Sequence, residues 1–203
     1  MMRKRIRLAA LALAAMLPAC AVAQVVGQTP DGDCIHRVET ADGQALYYVA
    51  SEGTEEKMIE EDVNFDGVPD LVVLLGQGAS NIRQMFFVRT ENGYVPALQQ
   101  GEDADGVWNY RLDTERQLVV SDADNGLAGA LRDKALYRWE GTTLALVRRA
   151  VSKDAAPEGP RGSTLIFSVM DADGDVLWTK TMQTENITAD FFDEWDSALY
   201  SGM

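Results

Sequence analysis

Apolar residues in this chain fall into short alternating or continuous runs, cut at close intervals by Gly, Asn and Asp. That pattern predicts strands and turns rather than helices. Cys34 to Val38 and Ala45 to Ala50 bracket a turn at Ala41-Asp42-Gly43, and Thr54 to Ile59 leads into an acidic loop. Leu71-Val72-Val73-Leu74-Leu75 is apolar throughout, which predicts a central strand buried on both faces. Gln84 to Thr90 is a further strand, and Glu91-Asn92-Gly93 predicts a hairpin into Tyr94-Val95-Pro96. The second half predicts strands at Trp108 to Leu112, Gln117 to Ser121, Ala135 to Trp139 and Leu144 to Val151. Lys153 to Gly162, rich in Pro, Gly and charge, is a linker or long loop. Leu165 to Met170 and Val176 to Met182 form a hairpin over Asp171-Ala172-Asp173-Gly174-Asp175.

One segment has helical spacing. Phe191, Phe192, Trp195 and Leu199 recur every three or four residues among acidic neighbours, and Thr188 stands where an N-cap belongs. An apolar stripe of this kind docks on its own domain's sheet in preference to a partner. The fold class expected is therefore all-β: antiparallel sheets, propeller-like or sandwich-like, with a short C-terminal helix. Residues 34–203 suffice for a single domain with one good core.

The N-terminus has a different character. Arg3, Lys4, Arg5 and Arg7 precede an apolar run, Leu8 to Leu17, too short to span a bilayer. With the small residues Ala21-Val22-Ala23, this makes residues 1–23 a signal peptide, followed by a polar tether from Gln24 to Asp33. A competing reading takes Leu17-Pro18-Ala19-Cys20 as similar to a lipoprotein lipobox, with an outer-membrane anchor on Cys20. Both readings place the protein outside the cytoplasm, periplasmic or secreted, and membrane association is expected only if Cys20 is lipidated. Both also leave Cys34 as a lone thiol, so an intramolecular disulfide is excluded and burial is the expected fate.

Charge narrows the partners. The first 23 residues hold four of the 18 basic residues and none of the 32 acidic ones, leaving 14 basic against 32 acidic, or −18. Such a balance argues against nucleic acid and anionic membrane surfaces. It suits a metal binder, a soluble envelope protein or a partner for something basic, although solubility alone accounts for much of it.

The residues that most strongly suggest chemistry are Asp62-Val63-Asn64-Phe65-Asp66-Gly67-Val68-Pro69-Asp70. Oxygen side chains stand at loop positions one, three, five and nine, with glycine at six. Ca²⁺ takes six to eight oxygens, and alternate residues of a curled loop can aim theirs at one point. Asp62, Asn64, Asp66 and Asp70, with the backbone carbonyl of Val68, are the candidate ligands. Gly67 supplies a bend that requires positive φ. The loop departs from an EF-hand: Val73 stands where the bidentate Glu belongs, and a strand follows instead of a helix. The bland alternative is a solvated turn, which needs fewer oxygens than this loop carries.

Three other clusters share an Asp-Ala-Asp pattern, at Asp103, Asp122 and Asp171, but have Arg111, Ala130 and Thr179 where a fourth oxygen is needed. Asp122-Ala123-Asp124-Asn125-Gly126 is the better secondary cation candidate of these. Catalysis is not expected. Carboxylate pairs are inevitable among 32 acids, His36 has no nucleophile elbow near it, and a zinc site wants more His or Cys than this chain offers.

The Asp62 loop, Gly76-Gln77-Gly78-Ala79-Ser80-Asn81 and Met85-Phe86-Phe87-Val88 together resemble the FG-GAP/VCBS-like repeats of secreted β proteins. The continuation from Ala135 through Tyr137-Arg138-Trp139-Glu140-Gly141 to Val147 is similar to periplasmic immunity proteins against lysozyme-like effectors delivered by type IV secretion. The resemblance spans roughly residues 60–149. It implies a bound Ca²⁺ and inhibition of a basic lysozyme-like peptidoglycan hydrolase; on charge alone, the acidic loops Glu102 to Trp108 and Asp122 to Arg132 are the candidate contacts. The chain lacks a Ser-Gly-x-Tyr inhibitory loop. The alternative is a structural or adhesion module of the envelope that calcium rigidifies and that inhibits nothing.

Overall fold

The computed structural model describes residues 23–100, 106–155 and 162–203. The predicted signal peptide short of its last residue, Ala23, and with it Cys20, lies outside the described residues, as do most of the Glu102 loop and the middle of the Lys153 stretch. No described helix is long and apolar enough to cross a membrane.

The described residues are all-β, with three largely antiparallel sheets and one short α-helix toward the C-terminus. β1 (Ala23–Gln28), β2 (Cys34–Glu39) and β3 (Ala45–Ala50) form the first sheet, in that order. Here the tether expected from Gln24 to Asp33 is corrected. Its first half is a strand, with Ala23 facing Val38 and Gln24 facing Arg37 in the ladder. A polar sequence with two adjacent valines satisfies its backbone on the edge of β2 as readily as in water.

The second sheet holds β4 (Met58–Glu61), β5 (Asp70–Gln77), β6 (Ile82–Thr90) and β7 (Gly93–Pro96). The third is wider. β8 (Leu98–Gln99) joins it in parallel with a later strand, while β9 (Val107–Trp108) attaches to β6 of the second sheet. The main path of the third sheet is β10 (Arg111–Asp113), β11 (Leu118–Gly126), β12 (Leu131–Glu140), β13 (Thr143–Asp154), β14 (Thr164–Asp171) and β15 (Val176–Gln183). The strand predicted from Trp108 to Leu112 is thus two short pieces. They are broken where Asn109 takes φ 43°, a left-handed conformation that Asn tolerates better than most residues.

The layers follow from β5. All its residues except Gln77 are buried, as the unbroken apolar run predicts. Leu71, Val73 and Leu75 pack with Val38, Leu46 and Tyr48 of the first sheet. Val72, from the opposite face, packs with Val119, Ala135, Tyr137 and Leu144 of the third. The second sheet is therefore the middle of a sandwich-like stack. On the far face of the third sheet, Leu118, Leu136, Leu165 and Phe167 receive Phe191, Trp195 and Leu199. Those three belong to α1 (Ala189–Tyr200), whose N-cap is Thr188, its hydroxyl accepting from the Phe191 amide at 3.4 Å. Arg148 donates to the Leu199 carbonyl at the other end (3.1 Å), placing a cation where the helix dipole favours one. The helix docks on its own sheet, as its stripe predicts. The stack does not close on itself, since the first sheet's outer face leaves Tyr47 and Val49 exposed.

Candidate functional site

The Asp62–Asp70 loop connects β4 to β5 at the junction of the second and third sheets. Phe65 and Gly67 both have positive φ, 63° and 85°, so the backbone curls twice within three residues, with glycine at the second bend. The curl gathers oxygens. Asp62 Oδ1 and Asn64 Oδ1 both accept from the Asp66 amide, at 3.0 and 3.1 Å, so the two oxygens lie around one nitrogen. Asp62 Oδ2 accepts from the Gly67 amide at 2.9 Å, and Asp66 Oδ1 from the Val68 amide at 2.8 Å. Asn64 Nδ2 donates to Asp66 Oδ2 at 3.0 Å. Asp62, Asn64 and Asp66 thus stand together on the solvent side.

Asp70 lies beneath them, fully buried. Its Oδ2 accepts from the amides of Val63 (3.1 Å) and Asn64 (3.2 Å), and its Oδ1 from that of Arg89 (2.8 Å). Burial raises its pKa, the three amides pull it down, and the charge of Asp66 raises it again. Asp70 therefore pins the loop to β6 from inside. An ionised carboxylate offers about four acceptor positions, so three amides leave one free.

These donors are hard oxygens, the type calcium takes. Among the described residues no three His, Cys, Asp or Glu side chains are already assembled around a common point. Val68, the remaining candidate, is an exposed loop residue whose amide is held by Asp66.

Two contacts that sequence reasoning missed tie the loop and the end of β4 to later parts of the chain. The Trp139 indole donates to the Val63 carbonyl at 2.6 Å across a separation of 76 residues, and the Tyr110 hydroxyl donates to Glu61 Oε2 at 2.5 Å. Trp139 lies in the Tyr-x-Trp-x-Gly strand, so the acidic loop and that motif are one physical unit. The motif was visible in the sequence; its partner was not.

The Asp122 cluster is corrected. Asp122 to Gly126 is the end of strand β11, not a loop. Asp122 faces Arg132 (3.5 Å) and Lys134 (4.0 Å), and Asp124 Oδ1 accepts from the Gly126 amide (2.9 Å). In extended backbone Asp122 and Asp124 share a face but stand about 6.7 Å apart instead of curling round one point, and Asn125 after them points away. Burial raises the pKa of Asp122, with Lys134 and Arg132 opposing.

The described ends of the two predicted contact loops do meet. Gly106 and Trp108 from one and Ala123 and Asn125 from the other, with Ser121 just before it, line a cavity of about 220 Å³ between the second and third sheets. Arg149 and Asp133, joined by paired bonds of 2.9 and 2.5 Å, form part of its wall. Asn81 and Asn109 stitch its rim: Asn81 exchanges bonds of 2.8 Å with the backbone of Asp124, and Asn109 Nδ2 reaches the Asp122 carbonyl at 2.8 Å.

No protein-family model and no curated protein matches the sequence. Among solved structures the chain is similar to a type IV secretion system related protein from Xanthomonas, with 12% identity and a TM-score of 0.44, over 79% of this chain and 85% of that one.

Proposed function

We propose that this chain is a calcium-binding protein of the cell envelope that binds and inhibits a basic, lysozyme-like peptidoglycan hydrolase. The observation that carries the calcium reading is the loop: three oxygen side chains gathered at its mouth and a fourth, Asp70, locked below. Asp62, Asn64, Asp66 and Asp70, with the Val68 carbonyl, would hold the ion. The ion neutralises adjacent carboxylates and fixes the curl. The bond from Trp139 to Val63 then passes that rigidity to the third sheet.

The partner reading rests on charge and on the resemblance of residues 60–149. A surplus of carboxylates steers a basic enzyme toward this surface and speeds encounter more than it tightens the complex. The protein acts by occupying a cleft and performs no chemistry. The test is a hydrolase inhibition assay on the purified chain, with calcium and with a chelator. Calcium-dependent inhibition that Asp66→Ala abolishes supports the whole reading. A calcium-dependent melting shift without inhibition, across a panel of such hydrolases, would leave the ion site and move the function to a structural or adhesion module.

A further inference from the structure

The first sheet's inner face holds a second set of donors, independent of the acidic loop. Inward positions on β2 alternate as Cys34, His36 and Val38. Cys34 is a free, buried thiol. His36 is 2% exposed, yet neither Nδ1 nor Nε2 meets a hydrogen-bond partner among the described residues. Its ring lies flat on Tyr48, with centroids 4.9 Å and planes 10° apart. Buried polar groups almost always find partners, because an unmet one keeps its full desolvation penalty. A ring that is oriented and buried but unpartnered points to a ligand.

The neighbouring thiol suggests which kind. Residues two apart on a strand lie about 6.7 Å apart and project to the same side. A sulfur and a ring nitrogen on one metal, with bonds of about 2.0–2.3 Å, are separated by roughly 4 Å, which two side chains leaning together can span. Zinc wants four ligands, and among the described residues no third His, Cys, Asp or Glu completes such a group. Copper(I) accepts two ligands and is selected by soft sulfur. Met58 and Met85, each beside Val73 in the ladder, pack against the core that contains Tyr48, so thioethers border the same layer.

We propose that Cys34 and His36 form a buried copper(I) site. On binding, the thiol proton leaves to solvent; the sulfur and one imidazole nitrogen each donate a lone pair, and the metal's oxidation state is unchanged.

The chain carrying Cys20→Ser, so that Cys34 is its one thiol, is kept reduced and titrated with copper(I) against bicinchoninate. One copper per chain is expected to resist the competitor and to give a thiolate-to-copper ultraviolet band. Cys34→Ser and His36→Gln, each added to that chain, should weaken binding by about tenfold or more, since losing a group that only hydrogen-bonds to a ligand already costs about 10–100-fold. X-ray absorption on the Cys20→Ser chain reads the copper's neighbours with Cys34 and His36 intact, so a variant that fails to fold does not decide the matter. Complete loss of copper to the competitor, unchanged affinity in a folded Cys34 or His36 variant, or a copper surrounded by oxygen and nitrogen alone would overturn the assignment.

Discussion

Asp70→Ala separates what this carboxylate does for the fold from what it does for an ion. The substitution removes the acceptor of three backbone amides, Val63, Asn64 and Arg89. A buried donor left unmet costs about 1–3 kcal/mol. The Val63 bond is buried and the other two are part-buried, so the sum is about 3–5 kcal/mol. For a chain of this size each kcal/mol moves the melting temperature by about 2–4 °C, giving a fall of about 10 °C. The assay is thermal unfolding by circular dichroism in chelator, so that no metal is gained or lost. Asp70→Asn keeps one oxygen and should fall by about half as much, since the amides share about half the orphaning. A melting temperature within about 2 °C of wild type for Asp70→Ala would mean that the loop re-pairs its amides elsewhere and that the anchoring argument is wrong.

Asp66→Ala should behave in the opposite way. Its hydrogen bonds are exposed, so the chelated protein changes by under about 1 kcal/mol. The calcium gain, about 2.7 kcal/mol at a hundredfold excess over Kd, should vanish; parallel melts with and without calcium decide it. Trp139→Phe removes the donor to the Val63 carbonyl and should destabilise by about 1–2 kcal/mol in urea unfolding, with a smaller calcium-induced shift. For Asp122, whose folded-state pKa is raised by burial, the folded chain holds the proton at higher pH than the unfolded one. Its contribution to stability is therefore full at low pH and declines as pH rises through the raised value. Asp122→Asn should be at least as stable as wild type at neutral pH and lose any advantage as the pH drops below the ordinary carboxylate range. Urea unfolding across that range reads the difference, and a clear loss of stability at neutral pH would contradict it.

The elements legible in the sequence are those whose burial is decided locally. Leu71–Leu75 reads as a two-faced strand because no position in it is polar, and β5 is buried toward both neighbouring sheets. The stripe of Phe191, Trp195 and Leu199 reads as a docked helix for the same reason. What escaped depended on partners far along the chain. Gln24–Gln28 looks like a tether because its pairing with β2 supplies the backbone bonds that its own residues do not advertise. Asp122–Gly126 looks like a cation loop by composition, and β12 makes it a strand. At the acidic loop, spacing announced the oxygens but not the division of labour between the three at the mouth and Asp70 below. That division is set by the amide of Arg89 in β6.

The order of the layers matches the order of the chain: first sheet, second sheet, most of the third, then the helix. A growing chain can therefore stack each layer on a finished one, but every intermediate exposes one oily face until the next layer is made. The last such face belongs to Leu118, Leu136, Leu165 and Phe167, and the helix at residues 189–200 lays Phe191, Trp195 and Leu199 over it. The C-terminal dozen thus acts as the closing lid of assembly, and a chain cut just before Ala189 would be built throughout and sticky on one side.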